Sequence, residues 1–259
     1  MTEVLQELST HQQAQEVEYV VPYHWFWTPD SESGRSYFAY LALVAERIPT
    51  TAQTVCDVGC GDGRATSFLK DAHPTCSVTG VDYSARALEL ARCLSAPREI
   101  AWKEMNVYEG SAVLDGSFDC VTTIEMLEHI PVDQLDSALR NIRRLLAKDG
   151  TLVLTVPSTL AHQPVKHYQH FTQATISAAL QRAGFSVERV DGQERSDHWL
   201  FSFYRFADNR WWTLKPLMRW FNRSVYPQQT SPCPPDKGNR LIVVARAGEG
   251  SSHLISYKE

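Results

Sequence analysis

The chain has 259 residues, 43% of them hydrophobic and 21% charged, a globular composition that excludes wholesale disorder. Lysine and arginine total 25 against 30 aspartates and glutamates, a net charge of −5, so the average surface is not built for a polyanion and nucleic acid is not an expected partner. No apolar run approaches the ~18 residues of a membrane-spanning helix; the six scattered cysteines, with no CxxC pair, read as reduced thiols of a cytoplasmic protein, five of them small core residues in or beside strands.

At this length one α/β domain carrying an insertion is expected. Met1 to Val20 is polar and acidic and does not read as a signal peptide. Residues 1–50 read as a helical cap. In it Tyr19, Tyr23, His24, Trp25, Phe26 and Trp27 precede a polar turn from Pro29 to Gly34, and a helical stretch runs from Tyr37 to Ala45. From Thr54 short apolar runs alternate with amphipathic segments, which predicts a mostly parallel sheet with crossover helices over a core of 51–192. Strands are expected near 54–58, 76–81, 99–104, 118–123, 151–156, 185–190 and 240–246, and helices near 63–71, 84–94, 133–147 and 172–183. Leu135, Leu139, Ile142, Leu145 and Leu146 share one face of the 133–147 helix, with Gly150 expected as its C-cap. Residues 193–239 break the alternation as an insertion, and 240–259 supply the last strand and a tail.

Chemistry collects at the expected strand ends. Asp57-Val58-Gly59-Cys60-Gly61-Asp62-Gly63 closes the first strand, and its alternate glycines let the backbone turn tightly and approach a ligand. The spacing is not that of a dinucleotide fingerprint, and the carboxylates of Asp57 and Asp62 suit an ammonium group better than a phosphate. The second strand ends at Asp82-Tyr83, where an acid can grip a ribose diol, and the third leads to Asn106-Val107, whose amide can pair with an adenine edge.

These residues resemble the S-adenosylmethionine-dependent methyltransferases of the Rossmann-like class. The likeness covers about residues 50–190 and the final strand, and Asp57-x-Gly59-x-Gly61-x-Gly63 with Asp82 is its most specific part. It implies a doubly wound, seven-stranded sheet whose last strand runs antiparallel. It also implies S-adenosyl-L-methionine as cofactor, with Gly59 and Gly61 under the amino-acid part, Asp82 on the ribose and Asn106 at the adenine. The contacting set expected on this basis is Asp57, Gly59, Cys60, Gly61, Asp82, Tyr83, Asn106, Val107 and Glu125. The family often has aspartate where this chain has Asn106.

After the fourth strand comes Glu125-Met126-Leu127-Glu128-His129. On one helical turn, Glu125, Glu128 and His129 at i, i+3 and i+4 would share a face. Two carboxylates and an imidazole suit Mg²⁺, Mn²⁺ or Zn²⁺, with a fourth ligand from His162, His167 or His170, of which His170 is preferred here. Thr172 would cap the following helix. The pattern plus a downstream histidine resembles the metal site of small-RNA 3′-terminal 2′-O-methyltransferases, and ubiquinone-pathway O-methyltransferases carry a similar run. In the methyltransferase class the same residues also serve simply to shape the loop. His129 and His170 are the expected general bases.

From Trp199 to Tyr226 the chain packs ten aromatic residues, with Arg205, Arg210, Lys215, Arg219 and Arg223 against Asp208 alone. Pro216 is expected to break any long helix there. Three readings stand: a subsidiary core, a lid over the cofactor, or a peripheral membrane contact. The Tyr23 to Trp27 group is the expected opposite wall of the pocket. The function expected overall is methylation, foremost O-methylation, of a small-molecule, glycosyl or isoprenoid-linked acceptor. RNA 2′-O-methylation and a non-catalytic cofactor-binding scaffold are the alternatives.

Overall fold

In the computed structural model, which describes residues 10–28, 32–195, 206 and 211–248, the alternation of apolar runs becomes one seven-stranded sheet. Its strands are β1 (Thr54–Val58), β2 (Ser77–Asp82), β3 (Ile100–Glu104), β4 (Phe118–Ile124), β5 (Leu146–Pro157), β6 (Phe185–Arg195) and β7 (Gly238–Ala247). They lie in the order β3-β2-β1-β4-β5-β7-β6. The β3-β2-β1-β4-β5 pairs are parallel, whereas β7 runs antiparallel to both of its neighbours, β5 and β6. The helices are α1 (Thr10–Glu18), α2 (Glu32–Arg47), α3 (Arg64–Ala72), α4 (Ala85–Ser95), α5 (Leu135–Leu145), α6 (Gln173–Arg182), α7 (Lys215–Ser224) and α8 (Tyr226–Thr230).

The two faces of the sheet are sorted by the period of two along each strand. Cys56 and Val58 of β1, Leu152 and Leu154 of β5, and Leu241, Val243 and Ala245 of β7 meet α5 and α6 through Leu139, Ile142, Ile176 and Leu180. Val55 and Val153, one residue out of phase, meet Val44 and Ile48 beyond the other face, with Leu69 of α3. Helix α2 therefore belongs to the sheet's core as well as to the N-terminal region. All of these side chains are buried, and truncating one such leucine to alanine costs about 2–5 kcal/mol.

Three expectations need correcting. Helix α5 stops at Leu145, because Leu146 turns extended and pairs with Phe118 of β4. Gly150 therefore lies within β5 and caps nothing; Asp149, at φ 63°, makes the left-handed turn instead. Pro216 does not break a helix but sits in the first turn of α7, where its missing N–H would have had no partner. Among the cysteines, Cys56, Cys60, Cys76 and Cys120 are buried, but Cys93 is exposed on α4 and Cys233 is half-buried. Thr172 caps α6 as expected, its hydroxyl accepting from the Thr175 N–H at 3.2 Å.

Candidate active site

The C-terminal ends of β1 to β4 open into one cleft. Val58 and Gly59 follow β1, Asp82 and Tyr83 end β2, Asn106 and Val107 follow β3, and Glu125, Met126 and His129 follow β4. Three strand ends expected to share a ligand therefore do line one cavity. Gln12 and Tyr19 of the N-terminal segment close it from the other side. That segment is tied down by the Tyr83 hydroxyl on the Gln12 carbonyl (3.4 Å) and by Lys166 on Glu18 (2.8 Å).

The glycine loop owes its shape to left-handed residues. Gly61, at φ 53°, would carry a Cβ 2.8 Å from the Tyr19 hydroxyl oxygen, and Gly63, at φ 77°, would press one 2.7 Å from Ala91 and from Trp102. The first is a close approach at the cleft, the second a tight helix-to-strand contact. Asp82 holds the loop through the Gly61 N–H (2.8 Å) and receives the Ser84 N–H at 3.0 Å. Burial pushes its carboxyl up to about 6, with the Ser84 and Gly61 N–H groups pulling the other way. Burial likewise raises Asp57 to about 6, although the Thr66 and Thr122 hydroxyls donate to it at 2.6 and 2.8 Å.

Asp62 has a different task from the one its sequence position suggested. Its carboxylate accepts from His24 Nδ1 (3.1 Å) and the His24 N–H (3.3 Å), and its carbonyl accepts from Trp25 Nε1 at 2.9 Å. It thereby staples the aromatic N-terminal turn, Tyr23–Phe26, to the glycine loop. Asn106 spends its side-chain oxygen on the Tyr108 N–H at 3.0 Å and turns its amide nitrogen towards Glu109.

A second, more open cavity adjoins the first, and Tyr19, Gly59, Glu125 and His129 line both. Tyr23, His24, Trp27, Tyr37 and Tyr40 form its aromatic wall, so the N-terminal aromatic group does face the pocket. Asp57, Cys60 and Gly61, expected beside the others of the cofactor set, line this cavity rather than the first. None of the described residues 206 and 211–237 lines either cavity. The remainder of the aromatic insertion, including Trp199, lies outside the described residues.

Glu125, Glu128 and His129 do not share a helical turn. Glu125 sits at φ 50° as β4 ends, and only Leu127–His129 form a 3-10 turn. The kink sends Glu125 to Arg240 of β7, whose Nε lies 3.0 Å from its carboxylate. Arg240 also donates to Gln193 (2.9 Å) and Glu194 (3.2 Å) and covers the Tyr40 ring at 4.0 Å. Burial opposes its charge, but Glu125, Tyr40 and Glu194 outweigh that and hold it cationic.

Glu128, His129 and His167 do converge, each offering a ligand atom, with all three atoms within 4.8 Å of one another. His167 stands where His170 was expected, and Glu125 is not in the group. Hydrogen bonds fix the ring tautomers. His129 Nδ1 meets the Lys166 carbonyl at 3.2 Å, so it must donate, and the neutral ring carries its lone pair on Nε2. His170 Nδ1 meets the Ser158 carbonyl at 3.1 Å, which leaves its Nε2 to accept from His167 Nδ1 at 2.9 Å. His170 therefore stands behind His167 and orients it. Burial, together with His129, His170 and Lys166, pushes His167 down to about 4 and so keeps it neutral. Glu128 is 1% exposed, and its Oε2 has no hydrogen-bond partner. Burial, with Glu125 nearby, raises its carboxyl well above the carboxylate range. A buried carboxylate oxygen without a partner beside two imidazoles poised to accept fits a divalent cation.

Fold and cleft define a Rossmann-like S-adenosylmethionine-dependent methyltransferase. The chain belongs to the methyltransferase-domain family, which matches residues 23–190. It is 30% identical over 175 residues, 59% of this chain and 70% of the relative, to the ubiquinone biosynthesis O-methyltransferase of Xanthomonas euvesicatoria pv. vesicatoria (strain 85-10). The N-methyltransferase NodS from Bradyrhizobium japonicum, solved with S-adenosyl-L-homocysteine, superposes with a TM-score of 0.62 at 16% identity over 93% of this chain and all (100%) of that one. The 4+2 cyclase SpnF superposes with a TM-score of 0.62 at 18% identity over 93% of this chain and 98% of that one. These two likenesses speak to the fold.

Proposed function

We propose that the protein methylates a hydroxyl of a small aromatic acceptor held in the second cavity. The observation that carries this reading is the Glu128, His129 and His167 cluster, whose middle member lines both cavities. In the first cleft, Asp82 would hold the ribose diol, Asn106 the adenine and Gly59 the amino-acid part of S-adenosyl-L-methionine, with Gly61 bordering it from the second cavity. When bound, that cofactor would supply an electrophilic methyl group.

The protein's own task is to align the acceptor and take its proton. Tyr23 and Trp27 offer a planar acceptor ring its packing surface, with the buried Tyr37 ring packed behind Trp27. Without an ion, His129, with Nδ1 committed to the Lys166 carbonyl, presents Nε2 as the base for the hydroxyl proton. With one, Glu128, His129 through that same Nε2, and His167 would hold Mg²⁺, Mn²⁺ or Zn²⁺, whose chemistry is to acidify a bound hydroxyl so that no side-chain base is needed. The relative named as an O-methyltransferase supports oxygen as the accepting atom. A panel of phenols, catechols and amines, followed by S-adenosyl-L-homocysteine release with and without chelator, tests this. Turnover of hydroxyl acceptors that chelator suppresses and a divalent ion restores is expected. Turnover confined to amines overturns it.

A further inference from the structure

The outer surface of α7 differs in chemistry from the rest of the chain. Lys215, Arg219 and Arg223 recur every fourth residue along it and are exposed, with Trp220 beside them 48% exposed. The approach to the helix adds Trp211 at 79%, Trp212 at 49% and Leu214 at 43% exposure. No aspartate or glutamate occurs from Trp211 to Pro235, in a chain whose net charge is −5. The opposite side of α7 is a core of its own: Met218 and Phe221 pack with Val225 and Tyr226 and leave the basic and indole side chains outward. The insertion therefore contains a small core that holds a basic, tryptophan-rich face in place.

We propose that this face docks on an anionic lipid surface. Indoles favour the boundary between headgroups and acyl chains, and arginine and lysine beside them complement acidic headgroups. A polyanion such as RNA would meet only three cations here, and exposed Trp211 and Leu214 add nothing to a phosphate contact. At ten residues α7 is too short to span a bilayer, and no described helix is long and apolar enough to do so, so the contact is peripheral. The face also adjoins the proposed acceptor pocket. Tyr226 carries the Arg35 guanidinium of α2 at 5.0 Å from its ring centre, and the next residue, Ser36, lines the second cavity. Docking places that wall towards the lipid, although the inference does not depend on which acceptor is used.

The experiment is flotation of the full chain with vesicles of phosphatidylcholine alone or with 30% phosphatidylglycerol (about that fraction), at low and high salt. Two variants accompany it, R219E/R223E and W211S/W212S/W220S, with melting temperature and S-adenosyl-L-homocysteine affinity measured on each. Expected is flotation with the anionic vesicles only, reduced at least about tenfold by high salt or by either variant, with fold and cofactor affinity retained. Absence of flotation at low salt overturns the inference. So does flotation that the folded charge variant leaves unchanged, or a single-stranded RNA oligonucleotide that binds this face more tightly than the vesicles do.

Discussion

Replacing Glu128 with glutamine should lower stability only when a divalent ion is present. In the metal-free chain, Glu128 places a carboxyl group in a nearly sealed position with one oxygen unpartnered. An unsatisfied buried polar atom costs about 1–3 kcal/mol, and more when charged. Burial favours the neutral carboxyl there, so glutamine keeps both shape and charge, and with chelator the variant should melt within about 2 °C of the wild type. With Mg²⁺, Mn²⁺ or Zn²⁺ at about a hundred times its dissociation constant, the wild type should gain about 2.7 kcal/mol. For a chain of this size that is about 5–10 °C. The variant should gain almost none of it, so the two melting curves separate only when the ion is added. Differential scanning calorimetry with chelator and with each ion reads this directly. A wild type that no ion stabilises, or a glutamine variant that keeps the full shift, would refute the reasoning and return the cluster to the loop-shaping role also read from its sequence.

Gly61→Ala and Gly63→Ala should separate binding from packing. Each costs about 1–2 kcal/mol for its left-handed backbone, but the first displaces Tyr19 at the cleft and should weaken S-adenosyl-L-homocysteine at least about tenfold. The second presses on Ala91 and Trp102 and should cost about 1–3 kcal/mol more in stability with affinity retained; calorimetry giving the reverse ranking would contradict the packing. Asp82, held at about 6 by burial, favours its neutral form in the folded chain. Its contribution to stability is therefore full below about pH 4 and is lost as pH rises through 6. Cofactor binding runs the other way, because the carboxylate is the acceptor: affinity should fall about tenfold per pH unit below 6 and be flat above 7, and titrations from pH 5 to 8 that show no slope would exclude this role. His170→Ala should weaken metal affinity about 10–100-fold by releasing the His167 ring, with an apo melting temperature near that of the wild type; unchanged affinity would remove the relay.

The sheet and the convergence of three strand ends on one cleft were legible because they depend on local pattern. Val55-Cys56-Asp57-Val58 announces a doubly buried strand, and the glycines after it announce a close approach. The Glu125 to His129 run was misread in geometry because i, i+3, i+4 spacing carries no record of a left-handed residue. That φ of 50° is compatible with the Arg240 ion pair formed from a strand over a hundred residues away. Arg240 itself gave no local signal, being one cation at the start of a strand. His167 and His170 could not be ranked from sequence, since which one faces Glu128 depends on which one the Ser158 carbonyl holds. Asp62 looked like a ligand-facing acid because its anchor, His24, lies 38 residues earlier. Pro216 carries both helix-starting and helix-breaking meanings, and only its position in α7 decides between them.

The place of β7 between β5 and β6 has a consequence for synthesis on the ribosome. Gly238–Ala247 emerges after the other six strands, yet among the described residues it is the strand through which β6 joins the sheet. A nascent chain halted before residue 238 can assemble β3, β2, β1, β4 and β5, and with them the cleft's four strand ends. It leaves β5 with an open hydrogen-bonding edge, a template for aggregation. It also lacks Arg240, so Glu125 and Glu194 would stand without the cation between them. The cleft at the ends of β1 to β4 can thus mature during translation, while the second cavity, which Arg240 lines, is completed only when the last strand slides into its slot.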